Sequence, residues 1–188
     1  VGLDNRLLLP PFMSCLRGEE ILFGAILYKC FQGSYSGCLP WALSHVPVHI
    51  NPLIRSDFQK ILLAPQVNDI LFNLISEFSS PEYKCFPESL LRMRGLELAG
   101  LSALSAEEFE EHLRMRILRM CVTKVIRLEN MLRTCRTPPD LWVRDVKVRI
   151  IALRKNIRNQ KNLAAVDLAC YSPKTGWRLF QRLTLRYG

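Results

Sequence analysis

The sequence predicts a mainly α fold, a multi-helix bundle with an irregular N-terminal segment. Three observations predict it. Apolar residues recur every three to five positions in several stretches, the longest lasting about eight turns between Ser105 and Arg133. Helix-start signatures precede these stretches, as in Asn51-Pro52 and the Ser105/Glu108 pair. The composition, 49% hydrophobic and 23% charged, is that of a folded globular chain.

LLLPPF (7–12) reads as an extended entry, because paired prolines forbid a helix interior. RGEEILFGAILYKCF (17–31) predicts a helix, with Glu19 and Glu20 near its positive N-terminal end. QGSYSGCLP (32–40) is a Gly/Ser turn, and Pro47 keeps WALSHVPVHI (41–50) irregular or extended. Asn51 as N-cap and Pro52 at the first helical position start a helix that runs to about Ala64 and stops at Pro65.

In 66–79, Val67, Ile70, Leu71, Leu74, Ile75 and Phe78 form a one-sided apolar stripe. Ser80-Pro81-Glu82 opens a turn, and PESLLRMRG (87–95) predicts a short helix closed by Gly95. The long helix follows, with its seam at Phe109, Leu113, Ile117, Met120, Val125, Leu128 and Leu132. Glu110 can reach Arg114 across one turn.

TPPD (137–140) breaks that helix, and Asp140 is expected to cap the next one. Its seam is Val143, Val146, Ile150, Leu153 and Ile157. VKVRI (146–150) alternates with period two, as a strand would, but the helical register continues through IALRKNIRNQKN. LAAVDLACY (163–171) predicts a helix and SPKTG (172–176) a turn. WRLFQRLTLRY (177–187) fits a helix, with a short C-terminal strand or hairpin as the rival reading.

The 188 residues fit one compact domain made of two unlike halves. Residues 1–104 are near-neutral and helical, with the turn-rich 32–50; residues 105–188 are basic and helical. The first hundred residues hold 8 Lys+Arg against 9 Asp+Glu, while 101–188 hold 18 against 8, which together give the net +9. Arginine outnumbers lysine 18 to 8, favouring planar bidentate contact with carboxylate or phosphate. The chain begins with Val, as an excerpt of a longer protein would. Seven cysteines without a C-x-x-C pair read as mostly buried free thiols in the nucleus or cytoplasm. The longest nearly apolar run, ILFGAILY, has eight residues, against the roughly 20 that a membrane span needs.

Enzyme motifs are missing: there is no phosphate-binding glycine loop, dinucleotide fingerprint or H-E-x-x-H. GSYSG (33–37) has Tyr35 where a nucleophile elbow needs serine. Glu107, Glu108, Glu110 and Glu111 fit dipole compensation at a helix start, and His112 is expected to be solvated. Cys30, Cys38, His45 and His49, spaced C-x7-C-x6-H-x3-H, have zinc-compatible donors but match no common finger. No cofactor and no small-molecule substrate are therefore expected, and those four residues read first as buried thiols and loop histidines.

The candidate binding residues are the cations Arg144, Lys147, Arg154, Lys155, Arg158 and Lys161, together with Arg178, Arg182 and Arg186. A merely solvated helix face mixes charge signs, whereas 113–188 carries 18 basic residues and only four acids. The expected function is non-enzymatic: a helical interaction or scaffold module of an intracellular assembly, docking a protein partner with an acidic surface. The alternative is a DNA- or RNA-binding domain in which the same cations contact phosphates; Trp177 and Tyr187 are expected to stack on bases or on a partner's apolar surface.

Overall fold

The computed structural model describes Arg6, 8–13, 19–31, 65–78, 86–160 and 163–188. These residues form six α-helices and no strand: α1 (Glu19–Cys30), α2 (Val67–Glu77), α3 (Pro87–Ser102), α4 (Ala106–Thr134), α5 (Asp140–Arg158) and α6 (Pro173–Tyr187). A 3-10 turn, Val166–Leu168, precedes α6. The mainly helical bundle is as the sequence predicts, and residues 8–13 are irregular. The turn at 32–50, the helix at 51–64, the turn at 80–82 and Lys161 lie outside the described residues.

The stripes expected on α2, α4 and α5 are largely buried, with Cys121 in place of Met120 on α4. On α2, Val67, Ile70, Leu71, Leu74 and Ile75 are buried and Phe78, just past its end, is half-buried. On α4 the buried line is Phe109, Leu113, Ile117, Cys121 and Val125, and on α5 it is Val146, Ile150 and Leu153. One apolar cluster takes residues from all six helices. Its principal pairings are α4 with α5, α1 with α2 and α3 with α6; α4 also meets α6 and α2. The pairs Arg154–Glu129 and Arg114–Gln160 fix α4 and α5 as an antiparallel hairpin around 135–139.

The termini follow local chemistry. Ser105 Oγ accepts the Glu108 N–H at 3.3 Å while the Ser105 N–H donates to Glu108 Oε2 at 3.0 Å, the reciprocal cap expected for α4. That bonding also holds the Glu108 carboxyl below its ordinary value.

Four expectations need correction. Gly95 does not end a helix: α3 continues to Ser102. A Cβ at Gly95 would strike the Gly188 carbonyl oxygen, so this glycine admits the end of α6 against α3. Asp140 is the first helical residue of α5, not its cap; Pro139 holds the capping position with extended backbone. SPKTG is no isolated turn: Ser172 caps α6, its Oγ accepting the Thr175 N–H at 3.3 Å, with Pro173 in the first turn. The same start settles 177–187 as helix and removes the strand or hairpin reading.

The fourth correction concerns 163–171, which forms only the 3-10 turn. Long-range bonds claim its backbone. The Val166 N–H donates to Pro65 O at 3.1 Å, and both Asp167 carboxylate oxygens accept the Val67 N–H at 3.2 Å. Asp167 thereby caps α2 from a hundred residues away. Burial pushes its carboxyl above the ordinary 3.8, against the pull of the Val67 N–H, and Asp69 pushes in the same direction as burial. The folded state therefore holds the Asp167 proton more tightly than the unfolded chain does, so this group's contribution to stability falls as pH rises above 3.8. Asp167→Asn should remove that fall. Thermal melts across pH 3.5–6 should show wild type losing stability relative to the variant as pH rises.

Gly100, unlike Gly95, is exposed within α3 and has open space where a Cβ would sit. Gly100→Ala should raise stability by roughly 0.5–1 kcal/mol, seen as a shifted denaturant midpoint with an unchanged slope.

Candidate partner-docking surface

The α4–α5 hairpin presents an outer face whose edge is marked by one ion pair, Arg154 Nη2 to Glu129 Oε1 at 2.6 Å. Residues three, four or seven positions from each partner share its side of the helix. Within the two helices the exposed ones are Val122, Ile126 and Arg133 on α4 and Lys147, Ile151 and Arg158 on α5, while Val125 and Ile150, at the same spacings, turn into the core and Leu132 and Ile157 are half-buried against it. Val122 is 39% exposed, Ile126 52% and Ile151 68%, so three aliphatic side chains face water among four cations.

Few carboxylates oppose this charge. Glu129 is held by Arg154, and Asp145 is held by Arg149 along α5 at 2.8 Å. Arg144, Lys147, Lys155 and Arg158 make no ion pair among the described residues. Exposed pairs are worth only about 0–1 kcal/mol, so Arg154 can exchange Glu129 for a better acid at small cost.

The eight described candidate cations are all exposed, but they fall into two groups. Lys147, Arg154 and Arg158 lie on the joined face, with Arg144 and Lys155 beside it on the outer ridge of α5. Arg178, Arg182 and Arg186 line the solvent side of α6. That helix packs on α3 and α4, and its pairing with α5 is not among the principal ones. Lys161 lies outside the described residues.

No family model, curated protein or solved structure matches this chain.

Of the two aromatics expected to stack on a partner, Trp177 is not placed for it. Trp177 is buried, lying parallel to Phe180 at 6.3 Å with the Arg114 guanidinium 5.9 Å from its ring centre. Tyr187 is half-buried and donates its hydroxyl to Pro11 O at 3.1 Å; burial pushes that hydroxyl up to about 12. Sequence reasoning offered both as contacts for a partner, and packing takes Trp177 instead.

Of the zinc-compatible set, Cys30 is buried, and its thiol is pushed up chiefly by that burial; Cys38, His45 and His49 lie outside the described residues. Among the described residues no group of three or more His, Cys, Asp or Glu could hold a metal. Cys121 is also buried, whereas Cys135 and Cys170 are exposed. His112 is exposed, as expected. Partial burial, then Arg116 and Arg119, hold its imidazole below the ordinary value. No helix among the described residues is long and apolar enough to cross a membrane.

Sequence reasoning missed Val122, Ile126 and Ile151. The signal was present. α4 carries more apolar residues than its buried line uses, and the surplus Met115, Val122 and Ile126 sits at spacings of seven and four. It also missed that arginines differ in fate. Arg94 is only 1% exposed, and Arg116 is tied to Glu77 at 2.6 Å and to Asn73 at 3.0 Å.

Proposed function

We propose that this chain is a non-enzymatic protein-interaction module of an intracellular assembly, whose α4–α5 face docks an acidic protein surface. The observation that carries this reading is the interleaving of Val122, Ile126 and Ile151 with Arg133, Lys147, Arg154 and Arg158 on one face. Phosphate binding needs the cations alone; the exposed aliphatics add nothing to it. A protein partner uses both, because carboxylates meet the guanidinium groups while aliphatic side chains leave water together. Fully burying one such side chain is worth about 1.5–3 kcal/mol.

The test is paired salt titration of two polyanions, poly-glutamate and a 20-base-pair DNA duplex. The expected result is measurable affinity for poly-glutamate, with duplex binding that falls steeply and linearly on a log–log plot and is lost near physiological salt. Duplex affinity of about 10⁻⁸ M or tighter at physiological salt would instead make phosphate the ligand and overturn the protein-partner reading.

A further inference from the structure

The outer α4–α5 face has a shape as well as a charge, and the shape narrows what can occupy it. Met115, Val122 and Ile126 follow one another at seven and four residues, so they form a second apolar line on α4, away from the buried one. They span about 16 Å along the helix axis. Ile151 is exposed on α5, on the side of that helix that carries Arg154, whose pair with Glu129 spans the groove between the two helices. Exposed cations are interleaved with these aliphatics on both helices, Arg119 and Arg133 on α4 and Lys147 and Arg158 on α5.

We infer that the occupant of this groove is an amphipathic α-helix of a partner protein, about four turns long, with an apolar line flanked on both sides by glutamates or aspartates. The inference rests on the acidic-partner reading above and adds the occupant's secondary structure and pattern.

Three observations favour a helix. A seven-and-four apolar line is the complement of another helix, whose own side chains repeat at the same spacing. An extended peptide would bring unpaired N–H and C=O groups, and the described residues offer no strand edge to satisfy them. A helix satisfies its own backbone and needs only side-chain contact. Exposed cations contributed by both helices call for acids beside the apolar line, the arrangement that charged flanking positions have in paired helices. A second copy of this chain is a poor occupant, because two molecules of net charge +9 repel.

The experiment uses the full chain and four labelled 18-residue peptides read by fluorescence anisotropy. The first is helical, with leucines at helical spacing and glutamates on both flanks. The second has the same composition with two central residues replaced by proline. The third carries lysine for every glutamate. The fourth is poly-glutamate of equal length. Two protein variants, Ile126→Asp/Ile151→Asp and Ile126→Ser/Ile151→Ser, are checked for unchanged helicity by circular dichroism.

The first peptide should bind tightest, and the proline-broken peptide about tenfold more weakly. The serine pair should weaken the helical peptide by about tenfold and the aspartate pair by about a hundredfold. Equal binding of the helical and proline-broken peptides would overturn the helix while leaving an acidic partner in place. Unchanged binding by both protein variants would remove the groove from the site. Binding by none of the acidic peptides, or preference for the lysine peptide, would sink both this inference and the reading beneath it.

Discussion

Phe180→Ala should destabilise the fold by about 3–5 kcal/mol, the largest loss expected from any single truncation described here. Phe180 is fully buried, edge-on to Phe109 with ring centres 5.8 Å apart and parallel to Trp177. It is thus the peg that fastens α6 to α4. α6 also packs along α3, its principal partner, where the Gln181 amide donates to Ser102 O at 2.9 Å and, just beyond α3, to Leu104 O at 2.8 Å. Truncation removes an aromatic pair and leaves a cavity that two rigid rings cannot close. Denaturant melts should show a much lower midpoint. A loss under about 1 kcal/mol would mean that α6 is not docked as described.

Arg94→Ala should cost about 2–4 kcal/mol, an unusual size for removing a basic residue. Arg94 is 1% exposed, pairs with Glu97 at 2.8 Å and lies 5.4 Å from the centre of the Phe78 ring. Two origins of the loss can be separated. The Glu97 side chain is 37% exposed and can turn to water, so losing the ion pair leaves no buried charge behind. Most of the cost is then the packing of the arginine's stem and planar head between α1, α2 and α3. Arg94→Met, which keeps much of that volume, should recover more than half of the loss. Equal losses for alanine and methionine would assign the effect to the charge instead.

These two residues show where sequence reading succeeds and where it stops. The lines Phe109–Val125 and Val146–Leu153 are legible because helical spacing is a local property, and so is the Ser105/Glu108 cap. The burial of Arg94 has no local sign. It depends on Phe78 and on a helix boundary that Gly95 suggested wrongly, because Gly95 is set by the approach of Gly188. Residues 163–171 fail in the same way: their helical composition is overridden by bonds to Pro65 and Val67. The start of α6 was readable, since Ser172-Pro173 is a cap followed by a first-turn proline, but turn chemistry looks the same over five residues.

For the candidate surface, charge asymmetry alone pointed to α5 and α6 together. Only the packing of α4 against α5 shows that Lys147, Arg154 and Arg158 share a face with Val122 and Ile126. The α6 arginines lie on a separate helix, where Phe180 and Trp177 turn inward and leave Arg178 and Arg182 as a solvated row.

The central claim is that position on the α4–α5 face, and not net charge, determines binding. Two double variants change charge equally: Lys147→Glu/Arg158→Glu on the face, and Arg178→Glu/Arg182→Glu on α6. Each lowers the net charge of +9 by four. Their affinities for the helical glutamate-flanked peptide at 0.15 M salt compare the two directly. The face variant should lose roughly a hundredfold and the α6 variant less than about threefold, because exposed charges beyond a Debye length of about 8 Å are screened. Equal losses for the two, or a larger loss for the α6 variant, would contradict the account.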